Sequence, residues 1–206
     1  MMAARRLGGI ALAALLAGCA AVVPAPPPDE AGNTAPLGPA TYTLDPTHTF
    51  VHWEVLHMGT STIRGRFDKA AGRVEFDPKA QRLEVAMRID TASVNSGVAP
   101  LDTLLRGSAM LDVAANPQAT FTSRSARFEG EVPKEVRGEL KLRGVTQPVT
   151  LRNLRWKCGL NLLFRREVCG GDFEAQIERS EFGIRHSLPF VADTVRLLVQ
   201  VEAIAP

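Results

Sequence analysis

Polar and apolar residues alternate along most of the chain beyond residue 50. Val51, Trp53 and Val55 are separated by His52 and Glu54, and Val74 and Phe76 by Glu75. Leu83, Val85, Met87 and Ile89 are interleaved with Glu84, Ala86, Arg88 and Asp90. The same period returns at Leu140 and Leu142, at Phe173, Ala175 and Ile177, and at Val195, Leu197, Val199 and Val201. Successive side chains of a strand point to opposite faces, so each run predicts a strand with one face buried. Turn formers fall between the runs: Asp77-Pro78, Ser96-Gly97, Asn116-Pro117, Gly144 and Gly170-Gly171. Between Ala99 and Ala115 the pattern changes, with Leu101, Leu104, Leu105, Ala109 and Leu111 near helical spacing and Pro117 beyond as a stop. This predicts a single short helix. Many short antiparallel strands with one helix describe a closed barrel or a sandwich rather than a parallel α/β fold, and periodicity alone does not choose between them.

The N-terminal segment is built differently. Arg5 and Arg6 precede an apolar run from Leu7 to Ala17, the order of a secretory signal and too short to span a bilayer. It ends Leu16-Ala17-Gly18-Cys19, which resembles the lipobox of bacterial lipoproteins. That resemblance implies a signal peptide over 1–18, cleavage before Cys19 and lipidation of Cys19, the plain alternative being an ordinary cleaved signal. Residues 19–40 carry six prolines and no periodicity. They read as a tether that at ~3.1 Å per residue reaches up to ~60 Å. Residues 41–206 are then one domain.

Composition narrows the function. Of 206 residues 45% are hydrophobic and 22% charged, ordinary for a globular domain. A net charge of +2 lacks the basic footprint of a nucleic-acid binder. With Cys19 assigned to lipid, Cys158 and Cys169 remain as an even pair in KCGLNLLFRREVCGG, which reads as a hairpin or loop crossing. We read them as a disulfide worth ~2–3 kcal/mol that stiffens a loop distant from any cavity and requires an oxidising compartment. The spacing is not that of a zinc knuckle.

The stretch DPTHTFVHWEVLHMGTSTIRGRFDKAAGRVEFDP, from Asp45 to Pro78, resembles the opening of the YceI-like family of bacterial periplasmic lipid-binding proteins. Further matches follow in family order: Ser93, Asn95 and Gly97; Asn116-Pro117 to Phe121-x-Ser123; Gly138-x-Leu140-x-Leu142-x-Gly144-Val145-Thr146-x-Pro148-Val149; and Arg179-Ser180-Glu181-Phe182-Gly183. The resemblance covers 41–206. It implies an all-β fold, an eight-stranded antiparallel lipocalin-like β-barrel with one short helix, whose cavity binds a polyisoprenoid, quinone or related lipid for carriage or sequestration in the cell envelope. Read with the alternation, the inward-facing ligand-binding candidates are Val51, Trp53, Val55, Phe76, Val85, Met87, Phe121, Leu140, Leu142, Ile177, Val195, Leu197 and Val199. No cofactor beyond the lipid and no metal is expected, and the protein is expected not to be an enzyme. The partners would be an isoprenoid or quinone lipid and the membrane, through lipidated Cys19, with no nucleic acid and a monomeric or homodimeric state. The resemblance to bacterial lipoproteins, with Ala20 rather than Asp after Cys19, further implies the periplasmic side of the outer membrane.

In the helix the chain departs from the family pattern, carrying Leu104-Leu105-Arg106-Gly107 and Ala109-Met110-Leu111-Asp112 where members usually show additional polar and aromatic residues. Arg106 and Arg179 are candidates for a ligand head group, with a surface ion pair, helix cap or solvated strand end as the structural alternatives. His48 and His52 share a strand parity that His57 does not, so the three cannot converge on one ion from a regular strand. Two other readings stay open: a periplasmic metal-dependent or redox enzyme using His48 and His57, and a ligand-free, stress-protective structural lipoprotein. The sequence has no Gly-x-Ser-x-Gly elbow, no His-Glu-x-x-His and no dinucleotide fingerprint.

Overall fold

The computed structural model describes residues 38–163 and 165–206; the expected signal peptide, Cys19 and most of the tether lie outside them. The strands are β1 (Ala40–Leu44), β2 (Phe50–His57), β3 (Ser61–Phe67), β4 (Ala70–Asp77), β5 (Arg82–Asp90), β6 (Val94–Asn95), β7 (Gln118–Glu129), β8 (Val132–Leu142), β9 (Val145–Asn161), β10 (Arg166–Glu178) and β11 (Val191–Ile204), with α1 at Ala99–Arg106. All belong to one antiparallel sheet in the order β1-β4-β5-β7-β8-β9-β10-β11-β2-β3-β6, and β1 also pairs with β11. The sheet therefore closes as an eight-stranded barrel, β1-β4-β5-β7-β8-β9-β10-β11 and back to β1. Closure removes the edges that an open sheet would expose.

The first strands are long staves broken in two. β1 and β2 both lie antiparallel along β11, Leu44 opposite Ala203 and Phe50 opposite Gln200, and β3 and β4 follow them in the same way. The break at residues 45–49 is the Asp-x-x-His motif. Asp45 Oδ1 accepts the Thr47 N–H at 2.8 Å, His48 Nδ1 lies 2.8 Å from Asp45 Oδ2, and Thr49, fully buried, exchanges hydrogen bonds with the Glu202 backbone. These contacts bend the chain while its polar groups stay paired, as burial demands.

One end of the barrel carries the β4–β5, β7–β8 and β9–β10 turns and the start of β1; we call it the hairpin end. The other, the helix end, carries the β2–β3 and β8–β9 turns, α1 and residues 179–190. The helix is shorter than the apolar spacing over 99–115 predicts. Gly107 caps it, donating to Leu104 O, and the N–H groups of Met110 and Asp112 turn back to Gly107 O. The leucine spacing continues through turns rather than helix, which still brings Met110 and Leu111 over the barrel.

Three bulges change strand parity. The register skips Arg124 in β7, Lys134 in β8 and Leu154 in β9. A one-residue slip exchanges the faces of everything beyond it. In β9 it moves the inward set from Val149 and Leu151 to Trp156 and Cys158. Outside, alternating charges cross five strands as Arg64–Glu54–Arg196–Glu174–Arg152, from β3 through β2, β11 and β10 to β9. Each exposed pair is worth only about 0.2–1 kcal/mol, but a one-residue slip would carry each charge away from its partner to the apolar face of the sheet.

Candidate functional site: the barrel lumen

The inward faces form two apolar clusters. The larger occupies the hairpin half, where Trp156 meets Phe76 and Phe173 edge to face at 5.7 and 6.0 Å and Phe76 stacks on Phe128 at 6.0 Å. The smaller gathers Trp53, Val55, Val94, Leu111 and Ile184 beneath Leu105 and Met110 at the helix end. Phe67, Leu142, Val195 and Leu197 belong to both, so the apolar lumen runs from one end to the other.

Two glycines let the large rings lie inside. Gly65 sits opposite Trp53, and a Cβ there would stand 2.3 Å from Trp53 Cζ2 and 2.6 Å from Asn95 O. A Cβ on Gly138 would stand 2.6 Å from Phe121 Cζ and 2.4 Å from Thr122 O. The Arg-Gly-x-Phe and Gly-x-Leu-x-Leu motifs thus owe their glycines to ring packing.

A partly open space of about 50 Å³ remains in the hairpin half. Its walls include Val85, Met87, Phe121, Trp156, Val199 and Cys169. Tyr42 brings the one hydroxyl among the lining side chains, donated to Glu167 Oε2 at 2.7 Å. Burial pushes the Tyr42 phenol well above its ordinary pKa, and the adjacent carboxylate reinforces the shift. Among the described residues no carboxylate, imidazole or ammonium group lines this space, and the lining Cys169 is disulfide-bonded. A wider concavity of about 570 Å³ lies partly on the charged outer face. There Arg73 pairs with Glu75 and Arg124 with Glu84, as on a solvated surface.

The thirteen candidates divide between these regions. Phe76, Val85, Met87, Phe121 and Val199 line the space in the hairpin half. Val51, Leu140 and Ile177 are buried in the larger cluster, while Trp53 and Val55 lie in the helix-end cluster and Leu142, Val195 and Leu197 join the two. Val85, Leu142, Val195 and Leu197 keep accessible surface although their parity turns them inward, so the lumen is not packed shut there. Trp53 Nε1 is buried without a hydrogen-bond partner among the described residues.

Trp156 was missed because the β9 bulge hides its parity; a tryptophan two residues before Cys158 was the available signal. Cys158 and Cys169 are disulfide-bonded directly across β9 and β10. Contrary to the expectation that the bond lies away from the cavity, Cys169 is part of its wall.

Both head-group candidates hold the backbone. Arg179, 5% exposed, donates to the carbonyls of Ala192, Ile184, His186 and Val191 at 2.8–3.1 Å, using four of its five N–H groups. It ties residues 184–192 over the helix end, and its guanidinium has little left for a ligand. Arg106 donates to Ala92 O and Val94 O at 2.9 and 2.7 Å, fixing α1 to β6. The histidines do not converge either. His48 precedes β2 and His57 ends it, ~25 Å or more apart along an extended strand. His48 groups instead with Asp45 and Glu202 on the exterior, and its hydrogen bond to Asp45 raises its pKa while lowering that of Asp45.

Comparison with known proteins agrees with this architecture. A model of the YceI-like domain matches residues 42–203. Protein YceI of Salmonella arizonae is 35% identical over 170 residues, covering 80% of this chain and 87% of that protein. Among solved structures, Burkholderia cenocepacia BcnA superposes with a TM-score of 0.64 at 25% identity, over 77% of this chain and 98% of its own. A polyisoprenoid binding domain from Saccharophagus degradans superposes with a TM-score of 0.58 at 21% identity, over 81% and 99%. With the family domain matched over nearly the whole barrel, this chain belongs to the YceI-like family.

Proposed function

We propose that the barrel binds one elongated apolar lipid, an isoprenoid quinone or a polyprenyl chain, along its lumen, by burial rather than by chemistry. The observation that carries this reading is the apolar path from Tyr42 to Leu105, on which Val85, Leu142, Val195 and Leu197 keep accessible surface. The polyisoprenoid-binding domain of Saccharophagus degradans shares the fold, and among the described residues no pair of titratable groups lines the space in the hairpin half. Each buried methylene is worth ~0.8 kcal/mol, so a few isoprene units outweigh the cost of association. Lipidation of Cys19 would hold the barrel at the outer membrane's periplasmic face; a Cys19→Ala variant that fractionates and matures like the wild type would remove that anchor.

The volume of about 50 Å³ favours a second reading. Pockets for organic ligands usually span ~300–1,000 Å³, so a chain must displace unbranched or flat side chains such as Met87 and Phe121 to enter. If they do not yield, the barrel is a filled structural lipoprotein. Intrinsic fluorescence distinguishes the two, because both tryptophans lie inside. Saturable change on titration with a ubiquinone or polyprenol supports binding. A folded protein whose emission ignores every such lipid is the filled barrel.

A further inference from the structure

β9 and β10 outrun their neighbours. Glu135 of β8 lies opposite Arg152 and β8 begins at Val132, while β11 ends at Ile204 opposite Val168. Residues 159–163, 165 and 166 therefore project past the hairpin-end rim, with the Cys158–Cys169 disulfide across the base of the projection. On this projection Leu160, Leu162 and Leu163 are 61%, 82% and 90% exposed. Turn geometry does not call for them: Asn161 Oδ1 accepts the Leu163 N–H at 2.9 Å, and Arg165 takes the positive φ of 52°. Leucine does neither job, and turns normally favour polar residues and glycine. Lys157, Arg165 and Arg166 flank the leucines, exposed and without an ion pair among the described residues.

We propose that this tip docks on the surface of an anionic phospholipid bilayer, the leucines entering the interface and the three cations lying among the phosphates. Apolar side chains ringed by unpaired Lys and Arg are what such an interface selects. A second copy fits less well, because a two-fold pairing of tips would oppose like charges. β1 starts at the same end, and the wall residues Tyr42, Trp156 and Cys169 lie in that half. The inference stands apart from what the lumen holds.

The test uses the full chain with Cys19→Ser, so that no acyl chain on that residue contributes. An environment-sensitive dye is placed at Leu163→Cys, or, as a control, at Thr60→Cys at the opposite end. Vesicles of phosphatidylglycerol mixed with phosphatidylcholine should shift the emission of the Leu163 label to the blue and leave the Thr60 label unchanged, and high salt should weaken the effect. In the unlabelled chain, Leu162→Ser with Leu163→Ser should lower partitioning attributable to the barrel by about tenfold, with an unchanged denaturation midpoint. An unresponsive Leu163 label, an equal response at Thr60, or undiminished partitioning of the serine variant overturns the proposal. Leucine-dependent dimerisation without vesicles assigns the tip to a second copy and overturns it equally.

Discussion

Gly65→Ala tests the reasoning about ring packing most sharply, because two effects of opposite sign meet there. Alanine in a strand interior gains roughly 0.5–1 kcal/mol over glycine from the unfolded chain. Against this, the added methyl group would sit 2.3 Å from Trp53 Cζ2, 2.7 Å from Trp53 Cε2 and 2.6 Å from Asn95 O. The ring must retreat by about 1 Å, and Trp53 is only 7% exposed in the cluster with Val55, Leu111 and Ile184. Overpacking of that kind costs about 1–3 kcal/mol, so clash should win by about 1–2 kcal/mol. Thermal denaturation should show a midpoint lower by roughly 3–6 °C for a domain of this size. A double-mutant cycle isolates the cause: in a Trp53→Phe background the smaller ring leaves room, and Gly65→Ala should cost at least ~1 kcal/mol less. Relief should be incomplete, since the Asn95 carbonyl remains. A neutral or stabilising Gly65→Ala, or a cycle with no coupling, refutes the assignment of this glycine to the tryptophan.

Arg179→Met should destabilise by about 3 kcal/mol or more, because it leaves the carbonyls of Ala192, Ile184, His186 and Val191 without their donor; denaturant titration giving under ~1 kcal/mol would return Arg179 to the candidates for ligand contact. Cys158 and Cys169 should resist alkylation in the folded, unreduced protein, and replacing both by alanine should cost ~2–3 kcal/mol; rapid labelling of both thiols contradicts the bond. His48 has a raised pKa in the fold and Asp45 a lowered one. Their mutual contribution is therefore fully present only between the unfolded values of aspartate and histidine, and is lost as pH rises through the folded pKa of His48 or falls through that of Asp45. NMR titration of the histidines should show His48 returning toward the ordinary value in Asp45→Asn, and an unmoved titration shows that the hydrogen bond is not the cause.

What could be read from residues alone follows the regularity of each strand. β2, β5 and β11 alternate without interruption over the stretches that pack, so parity identified Val51, Met87 and Val199 as inward. β9 is the longest strand, at 17 residues, yet Pro148 and the bulge at Leu154 break its period, and Trp156 vanished from view with it. β6, two residues long, carries no periodic signal. The arginines are hard to read from sequence for another reason. A guanidinium that will bind carbonyls 5 to 14 residues away looks the same in a string of letters as one awaiting a head group. The family motifs resolve into local physics: Asp45 to Thr49 bends a stave, Gly65 and Gly138 make room for rings, and Gly183, at φ 76°, ends the turn that begins at Arg179.

The central claim is that the lumen opens to a lipid chain, and Val85→Arg tests it at a wall residue that still has accessible surface. The measurement is the mass of whatever lipid organic solvent extracts from equal amounts of folded wild-type and variant protein after exposure to an isoprenoid quinone or polyprenol. A guanidinium in an apolar lumen is costly unless it can reach water, and it competes for the space a chain needs. The account predicts close to one lipid per wild-type barrel and at least about tenfold less in the variant. Equal lipid in both, or none in a properly folded wild type, would contradict it.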